Sequence, residues 1–278
     1  MKKLIVLLLG LMLCSCQAGG NKKIDESLDL SKNIFSFTIL KNGQADAIVL
    51  KTKNHAALID CGEKDDGDEV IEHLIDKGIN SVDYLFITHF DKDHVGGAKE
   101  VIENIEVKNI IVPNYIGSNK EYKNFMTACM DKNITPQAID DTLEISLDDV
   151  SFTIFPPQKK VYKEGDNDFS LAISIVHGNN SFLFAGDAEE ERIREIFDEF
   201  GNNKYDFLKV PHHGRFNNET ENLIKSILPK YSVICDSDKN PADDKTLAVL
   251  RKYKSKIYQT KDGEIIASSD GKNLEIKQ

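Results

Sequence analysis

Cysteine is scarce in this 278-residue chain: there are five, and two of them, Cys14 and Cys16, stand near the start. Cys61, Cys129 and Cys235 remain, odd in number and far apart. That spacing excludes a disulfide framework and a thiolate zinc site, and the three read as small buried hydrophobes. The chain also lacks a Pro/Gly/Ser-rich internal linker, a low-complexity tract and a repeat of fixed period, which excludes a solenoid or a string of tethered modules. Its one leading apolar run, residues 4–13, is about half the ~20 residues that span a bilayer. Basic charge is in short supply as well. Lys and Arg number 35 against 46 Asp and Glu, a formal net charge of −11, and −13 once Lys2 and Lys3 are set aside. An acidic chain repels a polyanion at long range, which argues against non-specific, high-affinity DNA binding. It leaves phosphodiester cleavage open, because bound metals supply local positive charge.

What is present begins with an address. Lys2 and Lys3 precede the apolar run, and Leu13-Cys14-Ser15-Cys16 resembles a bacterial lipobox, with a small residue before the cysteine. The expectation is a lipoprotein signal peptide over 1–15, with Cys16 as the acylated first residue of the mature chain. Cys14 is the poorer site, because bulky Leu13 precedes it; an ordinary cleaved signal peptide is the alternative. Residues 16–32 are polar and aperiodic, as in a flexible tether. Residues 33–278 are enough for one large domain. The expected location is outside the cytoplasm, lipid-anchored to a bacterial membrane.

Within that domain the pattern predicts strands over 34–40, 47–51 and 56–60, a helix over 67–77 that Gly78 caps, a strand over 84–88 and a helix over 97–104. A strand over 109–112 and a helix over 121–132 follow. Hairpins are predicted at 142–147 with 151–155 and at 170–176 with 181–185. Helices over 188–200, 219–228 and 244–253 alternate with strands over 205–210 and 231–235, and short strands near Ile257, Ile265 and Ile276 close the chain. Antiparallel strands before alternating β and α elements suit two packed sheets with outer helices. Periodicity alone gives only an α/β domain with a hairpin-rich half.

The densest chemistry is Thr88-His89-Phe90-Asp91-Lys92-Asp93-His94-Val95-Gly96-Gly97. Four imidazole or carboxylate groups fall within six residues at the end of an apolar strand, and together such groups bind divalent metals. Two later strands end likewise, one in Gly186-Asp187 and one in His212-His213-Gly214. Each is weak alone, but strand ends on one sheet edge converge. Gly96-Gly97 allows close backbone approach behind the loop. His55, His73 and His177 read as structural or surface residues.

His-x-Asp-x-Asp-His, then Gly-Asp, then His-His-Gly resembles the metallo-β-lactamase fold, and more closely the extracytoplasmic hydrolase domain of ComEC-type competence proteins. Gly43-Gln44-Ala45-Asp46-Ala47, Ala57-Leu58-Ile59-Asp60-Cys61-Gly62, Asn167-Asp168-Phe169-Ser170-Leu171 and Thr260-Lys261-Asp262-Gly263-Glu264-Ile265 are similar to further segments of that branch, over about residues 34–277. Two stretches depart from it. Arg215 stands where the family usually has serine, and Lys239-Asn240-Pro241-Ala242 replaces the usual Gly-His-Pro. The resemblance implies an αββα sandwich. It also implies two divalent metals, Zn or Mn: His89 and Asp91 on the first, Asp93 and His94 on the second, Asp187 bridging, and His212 completing the second site. Asp168, or Asn167 beside it, is the expected further ligand of the first; a plain turn is the competing reading.

Two metals about 3.5–4 Å apart can hold a bridging hydroxide as nucleophile, with Asp93 orienting it. Asp91, histidine in many branches of the fold, makes the first site richer in oxygen and so admits Mn²⁺ beside Zn²⁺. His213 is expected either to protonate the leaving group or to support the metal shell. Arg215 is expected either to contact a phosphate or to lie solvated. The leading expectation is a surface-anchored phosphodiesterase or nuclease-type hydrolase acting on nucleic acid or a phosphorylated surface polymer. The alternatives are a lactam, lactone or thioester hydrolase, and a non-catalytic metal-binding lipoprotein.

Overall fold

Phe, Ile, Val and Leu alternate or run together in the segments that pair as strands, the side-chain choice that suits a pleated, buried surface. In the computed structural model, residues 34–201 and 203–278 are described; the expected leader, the expected tether and Cys16 lie outside them. The first half runs β1 (Phe35–Ile39), β2 (Ala47–Lys51), β3 (Ala56–Cys61), α1 (Gly67–Asp76), β4 (Ser81–Phe86), α2 (Lys92–Val95), α3 (Ala98–Asn104), β5 (Glu106–Pro113), α4 (Lys120–Asp131) and β6 (Gln137–Ile139). The second runs β7 (Leu143–Leu147), β8 (Val150–Phe155), β9 (Ala172–His177), β10 (Asn180–Phe184), α5 (Glu190–Phe200), β11 (Phe207–Lys209), α6 (Thr220–Ile227), β12 (Tyr231–Ile234), α7 (Asp244–Lys252), β13 (Lys256–Gln259), β14 (Ile265–Ser269) and β15 (Leu274–Lys277).

The strands form two sheets, ordered β15-β14-β1-β2-β3-β4-β5-β6 and β13-β12-β11-β10-β9-β8-β7. Each is antiparallel on one side and parallel on the other: β3 to β6 run parallel in the first, β10 to β13 in the second. Phe35, Phe37, Phe152, Phe182, Phe184 and Phe207 fill the layer between the sheets. Separate apolar layers hold α1, α3 and α4 on the first sheet and α5, α6 and α7 on the second. This is the expected αββα sandwich. Cys61, Cys129 and Cys235 are free and buried, as their spacing implied. No helix among the described residues is long and apolar enough to cross a membrane.

Differences from the predicted elements are local. The strand expected over 84–88 runs Ser81–Phe86 and ends early, because the Thr88 amide is taken by Asp60. The short edge strand β6 was not expected; two of its three residues are exposed, too few for a visible period. Residues 165–169 form a turn of 3-10 helix.

The sheets are latched at the end opposite the parallel strands' carboxyl termini. There the Asn179 amide donates to Gly271 O at 2.7 Å. His177 Nδ1 meets Ser269 Oγ at 2.8 Å, and that hydroxyl donates to Asn180 Oδ1 at 2.8 Å. Gly178, at φ +58°, lies so close to the Gly271 backbone that a Cβ would not fit.

Candidate metal centre

The loop after β4 is held from behind. Gly96 and Gly97 press against the Lys92, Glu63 and Cys61 backbone, leaving no room for a side chain at either. Asp60, fully buried at the end of β3 in the left-handed region (φ +59°), organises the rest. Its two oxygens accept from the Thr88 amide at 2.8 Å and hydroxyl at 2.7 Å, and Oδ2 also takes His94 Nδ1 at 2.8 Å. A carboxylate on one imidazole nitrogen fixes the ring and leaves the other nitrogen free for a metal. His89 Nδ1 rests 3.1 Å from the Thr88 hydroxyl, which again leaves Nε2.

Three strand ends then meet. Asp187, just past β10, puts Oδ2 2.8 Å from His213 Nε2 and 3.2 Å from His94 Nε2. Asp93 Oδ2 accepts from Gln44 Nε2 at 2.8 Å and lies 3.5 Å from His213 Nε2. Asp91, 40% exposed at its side chain, places Oδ2 3.8 Å from His89 Nε2 at the rim. His89–His94–Asp187, Asp93–His94–His213 and Asp46–Asp60–His94 are three buried groups, sharing His94, whose ligand atoms lie within 4.8 Å of one another.

Charge follows from this crowding. Burial works against ionising Asp187, but His213, His94 and Lys209 hold its carboxyl well below the usual range. Burial also works against protonating His213, yet Asp187 outweighs it and holds the imidazole at about 9. His94 is raised in the same way by Asp187 and Asp60 against its burial, while burial and then His94 push His89 well down. Burial lifts Asp91 to about 6. His89 Nε2, His94 Nε2 and both His213 nitrogens are buried without a hydrogen bond, despite carboxylates close by. Imidazole lone pairs converging among carboxylates fit a divalent cation.

The model of the Metallo-beta-lactamase superfamily matches residues 40–235. The chain belongs to that superfamily. It is 27% identical over 194 residues to ComE operon protein 3 of Bacillus subtilis (strain 168), covering 69% of this chain and 25% of that protein. It is 28% identical over 258 residues to Recombination protein 2 of Haemophilus influenzae, covering 90% and 31%. The chain thus spans about a quarter to a third of these relatives' length. Its fold matches the metallo-beta-lactamase fold protein YhfI of Bacillus subtilis with a TM-score of 0.59 at 10% identity, covering 84% of this chain and 100% of that one. Superfamily membership and the buried His/Asp cluster together mark a metal-dependent hydrolase related to the competence proteins.

The structure brings His89, Asp91, Asp93, His94 and Asp187 together. It redistributes three other expected residues. His213, not His212, enters the cluster. Both sit at positive φ (+51° and +47°) in a tight turn closed by Gly214 N to Pro211 O at 3.0 Å, which sends neighbouring side chains apart. His212, 26% exposed, pairs through Nδ1 with Glu189 Oε1 at 3.0 Å, and its Nε2 lies 3.4 Å from Asn167 Nδ2. Asp168 puts Oδ1 on the start of α5, accepting from the Glu189 and Arg192 amides at 2.8 and 3.3 Å, and its buried Oδ2 has no hydrogen bond. Arg215 rests on Pro241 O at 3.3 Å and Asp243 Oδ1 at 3.5 Å. Asp46, Asp60 and Lys209 had no assigned role. A lysine inside the apolar run 205–211 was the one available signal for a buried charge partner.

Proposed function

We propose that this chain is a phosphodiester hydrolase tethered to the bacterial surface by a lipid on Cys16. The observation that carries the substrate class is the oxygen-rich donor set. Asp91, Asp93 and Asp187 stand with His89, His94 and His213 around one point, and carboxylate-rich sites suit Mn²⁺ as well as Zn²⁺. Relatives named for competence and recombination favour a nucleic acid as substrate.

His89, Asp91, Asp93, His94, Asp187 and His213 would hold two divalent ions. Such ions, when bound, supply Lewis acidity, an activated water and neutralisation of charge on a phosphoryl oxygen. The chain does the positioning. Asp60 aims His94, Thr88 aims His89, and Gln44 keeps one Asp93 oxygen in place. With His213 in the cluster, proton delivery to the leaving group falls to His212, whose Nδ1 is steadied by Glu189 at the exposed rim.

Full-length protein reconstituted with Mn²⁺ or Zn²⁺ should cleave bis(p-nitrophenyl) phosphate and leave nitrocefin nearly untouched. Efficient nitrocefin turnover without phosphodiesterase activity would transfer the chain to lactam-type chemistry. Nuclease activity should favour short or single-stranded DNA and weaken as salt rises. Fatty-acid labelling should mark the wild type and spare Cys16→Ala; labelling that persists in the variant removes Cys16 as the anchor.

A further inference from the structure

Lys209 is fully buried in β11, an unusual place for a lysine. All three ammonium protons have acceptors: Asp46 Oδ2 in close contact, Gly186 O at 3.2 Å, and Asp187 Oδ1 at 3.4 Å. A saturated, buried ammonium has no proton left for a substrate and no path to one. Its effect must therefore pass through Asp46 and Asp187. The two oxygens of Asp187 are divided accordingly. Oδ1 faces Lys209, whereas Oδ2 faces the Nε2 atoms of His94 and His213. Asp46 carries the same division, with Oδ2 on Lys209 and Oδ1, which has no hydrogen bond, 3.8 Å from His213 Nδ1.

We propose that Lys209 is a positioning residue that reserves Oδ1 of Asp187, so that this carboxylate offers a single oxygen to the metal site. A built-in cation also weakens the site's attraction for external ones. Like charges held close together in a buried site repel strongly enough to change affinity tenfold or more. Asp46 limits that effect by taking up part of the lysine's charge.

This inference rests on the metal reading above, and titrating the intact protein with Co²⁺ separates the two. Lys209→Met should bind Co²⁺ at least tenfold more tightly and show a weaker visible band, because Oδ1 joins the coordination and raises its number. Asp46→Asn should bind more weakly, since Lys209 then bears on Asp187 alone. Opposite signs are the signature: a lysine needed only for folding would weaken binding in both variants and leave the band unchanged, which overturns the proposal. If Lys209→Met does not fold, the neutral pair Asp46→Asn/Lys209→Met decides. It should show the weaker band at near wild-type affinity, and an unaltered band defeats the idea. Wild-type protein that binds no Co²⁺ defeats the metal reading itself, whereas binding by wild type with unmoved variants defeats only the role of Lys209.

Discussion

The first sheet delivers His89, Asp91, Asp93 and His94 on one loop after β4, whereas the second delivers Asp187, Lys209 and His213 from around two different strands. The loop of the first sheet is fixed mainly by close backbone packing and hydrogen bonds: a glycine pair that admits no side chain, and Thr88 and His94 bonded to the Asp60 carboxylate. The second sheet's contribution is fixed by charge, with a buried lysine between two carboxylates. Hydrogen-bonded scaffolding tolerates loss of one partner at a cost of about 1–3 kcal/mol. A buried charge left without its partner costs about 3–5 kcal/mol. The second half of the site is therefore the more fragile.

The comparison breaks most visibly at Asp187. Asp187→Ala should lose metal at both positions, abolish hydrolysis and destabilise the fold by about 3 kcal/mol, because Lys209 and His213 each lose one of their carboxylate partners; metal analysis and chemical denaturation check this. Full metal occupancy in that variant would place the bridging role elsewhere. The adjacent histidines come next. His213→Ala should empty the Asp93–His94–His213 position of metal, while His212→Ala should keep both metals and lose about 10²–10⁴-fold in kcat through the missing proton donor. Elemental analysis beside kinetics separates them, and equal metal loss in both would cancel the distinction drawn here.

On the first sheet, Asp60→Asn should weaken metal binding by about 10–100-fold, as expected when the carboxylate orienting a ligand is lost. An acid titration addresses the second sheet again. His213 sits at about 9 in the folded, metal-free protein, above its ordinary value near 6.5. The stability it contributes is complete below about 6.5 and is lost as pH rises through 9. Metal must displace that proton, so affinity should climb by up to about tenfold per pH unit between 6.5 and 9. Calorimetric titrations in that window with a flat profile would show that His213 carries no proton to displace. The smallest effect belongs to Asp168→Ala. It should cost about 1 kcal/mol through the uncovered start of α5 and leave metal content unchanged.

The same asymmetry governs what could be read from the sequence. Groups on one loop announce themselves by spacing, and His89 to His94 were legible for that reason. So was the layering, since hairpins followed by alternating strands and helices allow few packings. His212 and His213 were not separable, because identical neighbours at positive φ diverge by backbone torsions that no side-chain pattern records. Asp168 lies in a segment rich in turn formers, where covering a helix start and binding a metal call for the same carboxylate. Asp46 and Asp60 were visible only as members of short resembling segments; their task depends on partners far away in the chain. Lys209 is paired with Asp46, 163 residues earlier, and nothing local marks such a pair.

The latch joining Gly178, Asn179 and Gly271 has a mechanical consequence. It pins the two sheets at one end of the sandwich, and the ligands from both sheets meet at the other. The strands β9, β10 and β14 that lead from the latch are five or six residues long, a lever arm of roughly 17 Å at about 3.3 Å per residue. Rotating one sheet by a single degree about the pin would then shift its ligands by roughly 0.3 Å, more than the ~0.2 Å that metal–ligand distances tolerate. The spacing of the ligand groups at one end of the sandwich therefore depends on how stiffly two hairpin turns are clasped at the other.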